Sequence, residues 1–224
     1  MDGIILIDKP IGPTSHKIVE FVRKKLKIRK VGHAGTLDPI ATGLLIIMIG
    51  KSTKISSLLT SQFKSYQVEM KLFKETNTGD ITGKIIKTEE EKIFEIKDVL
   101  QAIDYFNNYT YLQDPPLYSA IKIKGKKLYQ YALKGINVNV PPRSVTIRSI
   151  NFLNYNKEKN IINFSTNCSK GTYIRSLVID IAKRLKTIAT VSQLRRISIG
   201  NFHIKDAIKL DEVCEKKIIK DYLI

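Results

Sequence analysis

The sequence predicts an α+β fold with a mixed or antiparallel central sheet flanked by helices. Stretches in which apolar residues alternate, as in strands, are interspersed irregularly with stretches of helical period, and they do not form repeated βαβ units. The chain has 224 residues, of which 43% are hydrophobic, so it can bury a core and is not intrinsically disordered. It contains no internal repeat and no low-complexity linker.

The first part of the chain predicts two apolar strands with a helix and a loop between them. The elements, in order, are a strand Gly3–Asp8, a helix capped by Thr14 or Ser15, a glycine-rich loop Gly32–Gly43 and a buried strand Leu44–Ile49. Lys9-Pro10 ends the first strand, because proline disfavours the helical region for the residue before it. The helix has one apolar face at the 3.6-residue period, formed by Ile18, Val19, Val22 and Leu26.

The remainder predicts a hairpin, further strands and three further helices. In order they are strands Ser65–Phe73 and Lys84–Thr88, a helix through Ile96–Ile103, a basic segment Tyr118–Val140, strands near Val145–Leu153 and Ile161–Cys168, a helix with an apolar stripe from Ile174 to Leu185, a strand near Ser198–Ile204 and a helix from about Asp211. In the first of these strands, alternate residues from Tyr66 to Leu72 are apolar and lie on one side, because strand side chains alternate with period two.

The net charge of +17, from 38 Lys and Arg against 21 Asp and Glu, indicates a polyanionic partner. Nucleic acid ranks first and an anionic membrane surface second. The cations are 30 lysines and eight arginines, and an AT-rich genome would favour the same composition, so the charge alone does not settle the partner. The longest apolar run, Leu44–Ile49, is far shorter than the roughly 20 residues of a membrane-spanning helix.

Other composition features exclude several classes of site. The two cysteines, Cys168 and Cys214, are too few for a disulfide framework, and with no secretory signal expected they indicate a cytoplasmic protein. Gly50-Lys-Ser52 resembles the end of a phosphate-binding loop, but that motif needs glycine where the chain has Leu45. The three histidines are scattered and neither cysteine lies at a zinc spacing to them, so no metal site is expected.

The segment Gly32–Gly43 specifies an unusual backbone, because it holds three glycines, one His, one Asp and one Pro within twelve residues. On the residues alone, two interpretations of Asp38 stay open. It is either a turn or helix-cap residue before Pro39, or a carboxylate nucleophile for a sugar carbon, as in retaining glycoside chemistry.

The stretch from Gly32 to Leu44, Gly-His-Ala-Gly-Thr-Leu-Asp-Pro-Ile-Ala-Thr-Gly-Leu, strongly resembles the catalytic motif of the TruB family, the bacterial tRNA pseudouridine-55 synthases. Five further stretches resemble family motifs in the family's order: an opening Lys-Pro strand (3–10), a tyrosine strand (64–68), a basic RNA-gripping insertion (118–129), an arginine motif (168–175) and a C-terminal motif (194–207). The resemblance implies the pseudouridine synthase fold with an RNA-binding cleft. It also implies cofactor-free, aspartate-dependent isomerisation of T-loop uridine 55 of tRNA, with the base flipped out of its stack.

The resemblance implies three catalytic residues. Asp38 would be the nucleophile or essential carboxylate at C1′ of the uridine. Tyr66 would stack on the flipped base and assist proton removal, and Arg175 would pair with Asp38 and keep it ionised. The residues alone leave Tyr66 open as an ordinary strand aromatic and Arg175 open as a solvated residue at a helix start. Lys9 and Pro10 are interpreted as a structural turn that supports the Asp38 loop.

The resemblance also implies residues that bind the substrate. His33 would lie against the RNA near the space that the flipped base leaves, and Tyr173 and Leu194 would line the uridine pocket. The alternatives are a strand aromatic for Tyr173 and a core residue for Leu194. The residues expected to contact the RNA backbone are Lys122, Lys124, Lys126 and Lys127. Their alternative is a solvated edge strand, in which lysine prevents aggregation.

We expect residues 1–210 to form a catalytic domain that includes the basic insertion 117–143, and 211–224 to form a helix without a full PUA domain. The expected partner is the tRNA T stem-loop, with no membrane, no cofactor and no obligatory protein partner for a monomer. Two alternatives stay open. One is a guide-RNA-dependent relative of the dyskerin type, which works within a multi-protein particle, and the other is a non-catalytic RNA-binding or chaperone protein.

Overall fold

The computed structural model describes residues 1–123, 125–136 and 138–220. The chain divides into two units. The first unit consists of Met1–Gln67 and Gln193–Ile224, and the second of Val68–Ser192. The expected single catalytic domain over residues 1–210, with its insertion 117–143, stays a prediction. Lys124 and residues 221–224, which carry part of the predicted basic surface and of the predicted C-terminal helix, lie outside the described residues.

Strands and helices alternate irregularly along the described residues. The strands are β1 (Gly3–Lys9), β2 (Val31–Ala34), β3 (Thr42–Ile49), β4 (Lys64–Leu72), β5 (Lys74–Thr76), β6 (Ile85–Thr88), β7 (Tyr109–Gln113), β8 (Lys122–Ile123), β9 (Lys126–Lys127), β10 (Arg143–Asn156), β11 (Ile161–Cys168), β12 (Ala189–Ile199) and β13 (Phe202–His203). The α-helices are α1 (Ser15–Leu26), α2 (Ser56–Ser61), α3 (Ile96–Asp104), α4 (Leu128–Ala132) and α5 (Ile174–Arg184). Short 3₁₀ segments lie at Gly50–Ile55, Ile204–Asp206 and Glu215–Lys217. Over the part of the chain described, no helix has both the length and the apolarity to span a membrane.

Among the described residues the main sheet has nine strands, which together with the flanking helices confirms the predicted α+β class. Its hydrogen-bonded order is β1-β3-β12-β4-β11-β10-β7, with β2 beside β3 and β13 beside β12. The pair β3–β12 is parallel, with Thr42 opposite Arg195, whereas β1–β3, β10–β11 and β10–β7 are antiparallel, so the sheet is mixed. Two hairpins, β5–β6 and β8–β9, lie outside this sheet.

The first unit is built on β1 and β3, whose apolar residues are almost entirely buried. Helix α1 lies beside β2, and its predicted face is buried, since Ile18, Val19, Val22 and Leu26 are all buried. The predicted cap is also present: the Thr14 side chain accepts a hydrogen bond from the Lys17 amide at 3.2 Å.

The second unit is built on β10 and β11, which pair from Ile147–Cys168 to Asn156–Ile161. The strand predicted near Ile161–Cys168 is β11, and its burial alternates residue by residue, as in a strand with one face in the core. The stripe predicted from Ile174 to Leu185 is the buried face of α5. This helix begins immediately after Tyr173, one of the residues that the family resemblance assigns to the uridine.

Two predicted elements differ from the structure. The strand expected near Ser198–Ile204 is instead the end of β12 and the short β13, because Gly200 adopts a positive φ of 52° and turns the chain between them. The helix expected from Asp211 is wrong over 211–220, where Glu215–Lys217 forms a single 3₁₀ turn. The backbone of Ile219 is extended and exchanges two hydrogen bonds with Ile4 of β1, at 3.0 and 2.9 Å, and this pairing replaces helical hydrogen bonds.

Candidate active site

The side chain of Lys9, which is completely buried, anchors the loop that carries Asp38. The Lys9 ammonium donates hydrogen bonds to the carbonyls of Pro10 at 2.8 Å, Pro39 at 3.3 Å and Ala41 at 2.7 Å. Burial lowers its pKa to about 8, the Asp38 carboxylate opposes this shift and the Arg196 charge adds to it. The Lys9-Pro10 turn was predicted to support the loop, and the Lys9 side chain is the group that does so.

Arg196 holds the same loop from another side and is also completely buried. Its guanidinium donates to the carbonyls of Leu44 at 2.8 Å, Gly35 at 3.1 Å and Thr36 at 3.5 Å. Arg196 belongs to the C-terminal motif (194–207), in which it was assigned no role. Arg196 lies two residues after Leu194, so on a strand both side chains point to the same side, which was the local hint that this cation would be buried.

Ser15 fixes the residue immediately before Asp38. Its hydroxyl accepts a hydrogen bond from the Leu37 amide at 2.8 Å and lies 3.2 Å from the Leu37 carbonyl oxygen. The Ala41 amide then donates to the Asp38 carbonyl at 3.0 Å, which closes a tight turn. Asp38 is half-buried between these anchored residues, so its carboxylate is carried on a rigid backbone.

Three more predicted site residues belong to the first unit. Tyr66 lies on β4 and Leu194 on β12, and both are buried. His33 is half-buried on β2, opposite Ile47 of β3. Burial first, and then the charge of Arg196, lower the pKa of His33 below its ordinary value of 6.5, which favours the neutral imidazole.

Arg175 lies in the first turn of α5, in the second unit, and is only 4% exposed. Its guanidinium donates to the carbonyls of Thr78 at 2.7 Å and Tyr118 at 3.0 Å. The interpretation of Arg175 as a solvated helix-start residue is therefore wrong, since the side chain is buried and directed by two carbonyl groups. Its pairing with Asp38 stays a prediction.

Tyr173 directly precedes α5 and is half-buried. Its amide donates a hydrogen bond to the Oε1 atom of Gln113 at 2.8 Å. The Ser176 hydroxyl, one turn further on, donates to the Asp114 carbonyl at 2.7 Å. The start of α5 is thus fixed to the end of β7. Gln113 was not predicted from the sequence, because nothing in its local surroundings distinguishes it from a polar strand-end residue.

The predicted RNA-contacting lysines lie on a small hairpin of the second unit. Lys122 pairs with Lys127 and Ile123 with Lys126 across β8 and β9, and the three lysines are exposed. The Tyr131 hydroxyl donates to the Ile123 carbonyl at 3.0 Å and supports the hairpin. The fourth residue of the set, Lys124, is outside the described part of the chain.

The acidic, histidine and cysteine side chains are the groups that could bind a metal ion in this protein. In the ranges that the structure describes, no three or more of these residues are grouped closely enough to hold a metal ion.

Two protein-family models match this chain. The model of the TruB family pseudouridylate synthase N-terminal domain matches residues 23–174, and that of the tRNA pseudouridylate synthase B C-terminal domain matches residues 175–222. The chain belongs to the TruB family. This confirms the family identified from the motifs, and with it an enzyme of the pseudouridine synthase class.

Relatives in the TruB family match over nearly the whole chain. The tRNA pseudouridine synthase B of Mesoplasma florum is 46% identical over 97% of this chain and 76% of its own length. The enzyme of the same name from Caldicellulosiruptor saccharolyticus is also 46% identical, over 98% of this chain and 75% of its own.

A solved Cbf5-Nop10-Gar1 complex contains a chain of similar fold, with a TM-score of 0.72 and 29% identity over 94% of this chain. The match covers 53% of that chain, so this protein spans about half its length. The similarity confirms the pseudouridine synthase fold for a TruB family member. The catalytic and binding roles of the individual residues stay predictions.

Proposed function

We propose that this protein isomerises uridine 55 in the T loop of tRNA to pseudouridine, with Asp38 as the essential carboxylate and without a cofactor. Relatives that are 46% identical and named tRNA pseudouridine synthase B support tRNA as the substrate. The observation that carries the proposal is the Asp38 loop. Lys9, Ser15 and Arg196 fix its backbone on three sides, while the Asp38 side chain stays partly accessible.

The reaction accounts for these residue types. The N1–C1′ bond of the uridine breaks and a C5–C1′ bond forms, while the proton on C5 is lost and N1 gains one. Nothing is oxidised and no group is imported, so the step balances without ATP or a redox partner. A carboxylate held rigidly beside C1′ can act as the nucleophile or assist departure of the base. Buried apolar walls, such as Tyr66 and Leu194, would exclude water that could capture the sugar.

Base flipping is the costly part of substrate binding. A uridine in a folded T loop is stacked, and extruding it costs a few kcal/mol, which contacts with the protein have to offset. His33 is suited to this role. Its imidazole ring is half-buried and its lowered pKa favours the neutral form, so the ring can lie against bases without the cost of burying a charge. The exposed lysines of the β8–β9 hairpin, Lys122, Lys126 and Lys127, would contact RNA phosphates. In this proposal tRNA in the cytoplasm is the partner of a monomer that needs no other protein.

The alternative of a guide-RNA-dependent enzyme within a multi-protein particle has one observation in its favour, the fold similarity to a chain from a complex of several proteins, Cbf5-Nop10-Gar1. The identity is 29% in that case and 46% for the tRNA pseudouridine synthases, which favours action on tRNA. Purified protein acting alone on a bare T-arm hairpin would separate the two, because a guide-dependent enzyme requires a guide and partner proteins.

The decisive experiment incubates the purified protein with unmodified tRNA and maps pseudouridine, in parallel with Asp38→Asn. Asp211→Asn, an exposed carboxylate of the first unit, is the matched control. We expect product at uridine 55 from the wild type and Asp211→Asn, and none from Asp38→Asn. Folded wild-type protein without product at this position would refute the proposed function. As much product from Asp38→Asn as from the wild type would show that Asp38 is not the essential group.

A further inference from the structure

Gln113 is one member of a hydrogen-bonded chain that extends from the start of α5 to its middle. Gln113 accepts from the Tyr173 amide through Oε1 and donates through Nε2 to the Tyr111 hydroxyl at 2.8 Å. The Tyr111 hydroxyl in turn donates to Oδ2 of Asp180 at 3.2 Å. Three side chains thus connect two points of the helix that are seven residues apart.

The direction of every hydrogen bond in this chain follows from chemistry. A backbone amide can only donate, so the oxygen of the Gln113 amide must face Tyr173 and its nitrogen must face Tyr111. The hydroxyl of Tyr111 accepts from that nitrogen and directs its own proton to the Asp180 carboxylate, which only accepts. No member can be reversed without placing donor against donor, so the chain has a single arrangement.

The surroundings leave the members little room to move. Gln113 is 2% exposed and ends β7, where it pairs with Arg143 of β10. The ring of Tyr111 lies 5.9 Å from that of Tyr109, nearly parallel, and 5.4 Å from that of Phe106. Because its neighbours are held this firmly, the Gln113 side chain keeps a single conformer, in which Oε1 faces the Tyr173 amide.

This hydrogen-bonded chain fixes the position of Tyr173, the residue before α5. Tyr173 occupies the N-cap position but its side chain makes no capping hydrogen bond. Its amide relies on Gln113, and two residues later Arg175 directs its guanidinium at the carbonyls of Thr78 and Tyr118. A shift in where the helix begins would displace Tyr173 and Arg175 together.

We propose that Gln113 is a positioning residue, which sets the start of α5 and thereby the placement of Tyr173 and Arg175 for the reaction. This inference rests on the proposed function and on the roles that the family resemblance implies, in which Tyr173 lines the uridine pocket and Arg175 pairs with Asp38. Gln113 touches neither the RNA nor the reacting atoms in this view. It acts through the Tyr173 amide, so its effect belongs to the rate of the chemical step rather than to RNA affinity.

The test compares two substitutions of nearly equal size. Gln113→Met removes the acceptor, whereas Gln113→Glu retains an oxygen for the Tyr173 amide and, because burial favours the protonated carboxyl, a hydroxyl that can donate to Tyr111 in place of Nε2. With a T-arm RNA, we expect Gln113→Met to lower kcat by about tenfold to a hundredfold, with the Kd for RNA unchanged, since small misplacements cost this much. Gln113→Glu should recover most of the loss. Gln101→Met, an exposed glutamine on α3, should behave as wild type.

Hydrogen exchange at the Tyr173 amide gives a readout that does not depend on activity. We expect slow exchange in the wild type and Gln113→Glu and faster exchange in Gln113→Met, with the rest of α5 unchanged. If Gln113→Met does not fold, Tyr111→Phe serves instead, because it keeps the ring packing and removes the hydroxyl; its expected effects on kcat and exchange are smaller but of the same kind.

The outcomes separate this inference from the function on which it rests. A wild type without pseudouridine activity contradicts the proposed function, and the exchange measurement then still decides whether Gln113 positions Tyr173. With an active wild type, the inference is refuted if Gln113→Met keeps full kcat, if Gln113→Glu is as impaired as Gln113→Met, or if the loss lies in Kd alone.

Discussion

Gly43 and Arg196 approach each other so closely that residue 43 has no room for a side chain. A Cβ atom at Gly43 would lie 2.3 Å from the carbonyl oxygen of Arg196 and 2.8 Å from its amide nitrogen. The parallel pairing of β3 with β12 creates this approach, since Gly43 is opposite Arg196 in the register. The guanidinium of the same arginine holds the loop of Asp38, so the contact connects the sheet to the site.

We therefore expect Gly43→Ala to lower the free energy of unfolding by at least about 3 kcal/mol, because the backbone of two paired strands has to separate. Gly12→Ala is the matched control. Gly12 also has a positive φ, 106° against 98° at Gly43, but a Cβ there would meet nothing within 4 Å. It should cost only the backbone strain, about 1–2 kcal/mol. Urea unfolding of both variants measures the difference, and equal losses would show that the close approach is not limiting.

The buried Lys9 predicts a specific dependence of stability on pH. Its pKa is about 8 in the folded protein, against 10.5 for an ordinary lysine, so between these values the unfolded chain binds more protons than the folded one. The free energy of unfolding should rise with pH through this range, by up to about 3 kcal/mol from this group. Lys9→Met lacks the group, so the wild type should gain stability relative to this variant from pH 8 to 10.5. A constant or shrinking difference in urea unfolding would contradict the low pKa.

His33 should stay neutral at pH values where an ordinary imidazole is half protonated. Burial and the Arg196 charge lower its pKa below 6.5. Because the unfolded chain then binds the extra proton more readily, His33 should reduce stability as the pH falls below 6.5. An NMR titration of the imidazole, assigned with His33→Asn, measures the midpoint directly. A midpoint at or above 6.5 would show that the ring is more solvated than in the structure.

The β8–β9 hairpin predicts a change in the salt dependence of RNA binding. Replacing Lys122, Lys126 and Lys127 by glutamine should weaken tRNA binding, and reduce the slope of log K against log salt by roughly 0.7–0.9 for each phosphate that the protein no longer neutralises. The control replaces three exposed lysines elsewhere in the second unit, Lys97, Lys157 and Lys159. Titrations at several salt concentrations measure both slopes. If the two triple variants have the same slope, the hairpin does not contact RNA.

Features that depend on neighbouring residues could be predicted from the sequence. The N-cap at Thr14, the buried stripe of α5 and the alternation of β4 follow from local hydrogen bonding and from the period of each element. The Asp38 motif is also local, because its glycines and proline act on the backbone next to them. The fold class followed from the pattern of these elements, whereas the family followed from the resemblance of the Asp38 motif and five further stretches to TruB motifs.

Features that depend on distant parts of the chain could not be predicted in this way. Arg196 finds its carbonyl partner at Leu44, 152 residues away, and Gln113 finds the Tyr173 amide 60 residues away. The extended backbone at Ile219 likewise depends on its two hydrogen bonds with Ile4, at the other end of the sequence. A buried polar group is stable only where partners surround it, and those partners are brought together by folding. Local pattern therefore identified the Asp38 loop, whereas the buried cations that hold it and the glutamine that holds α5 became recognisable only in the folded chain.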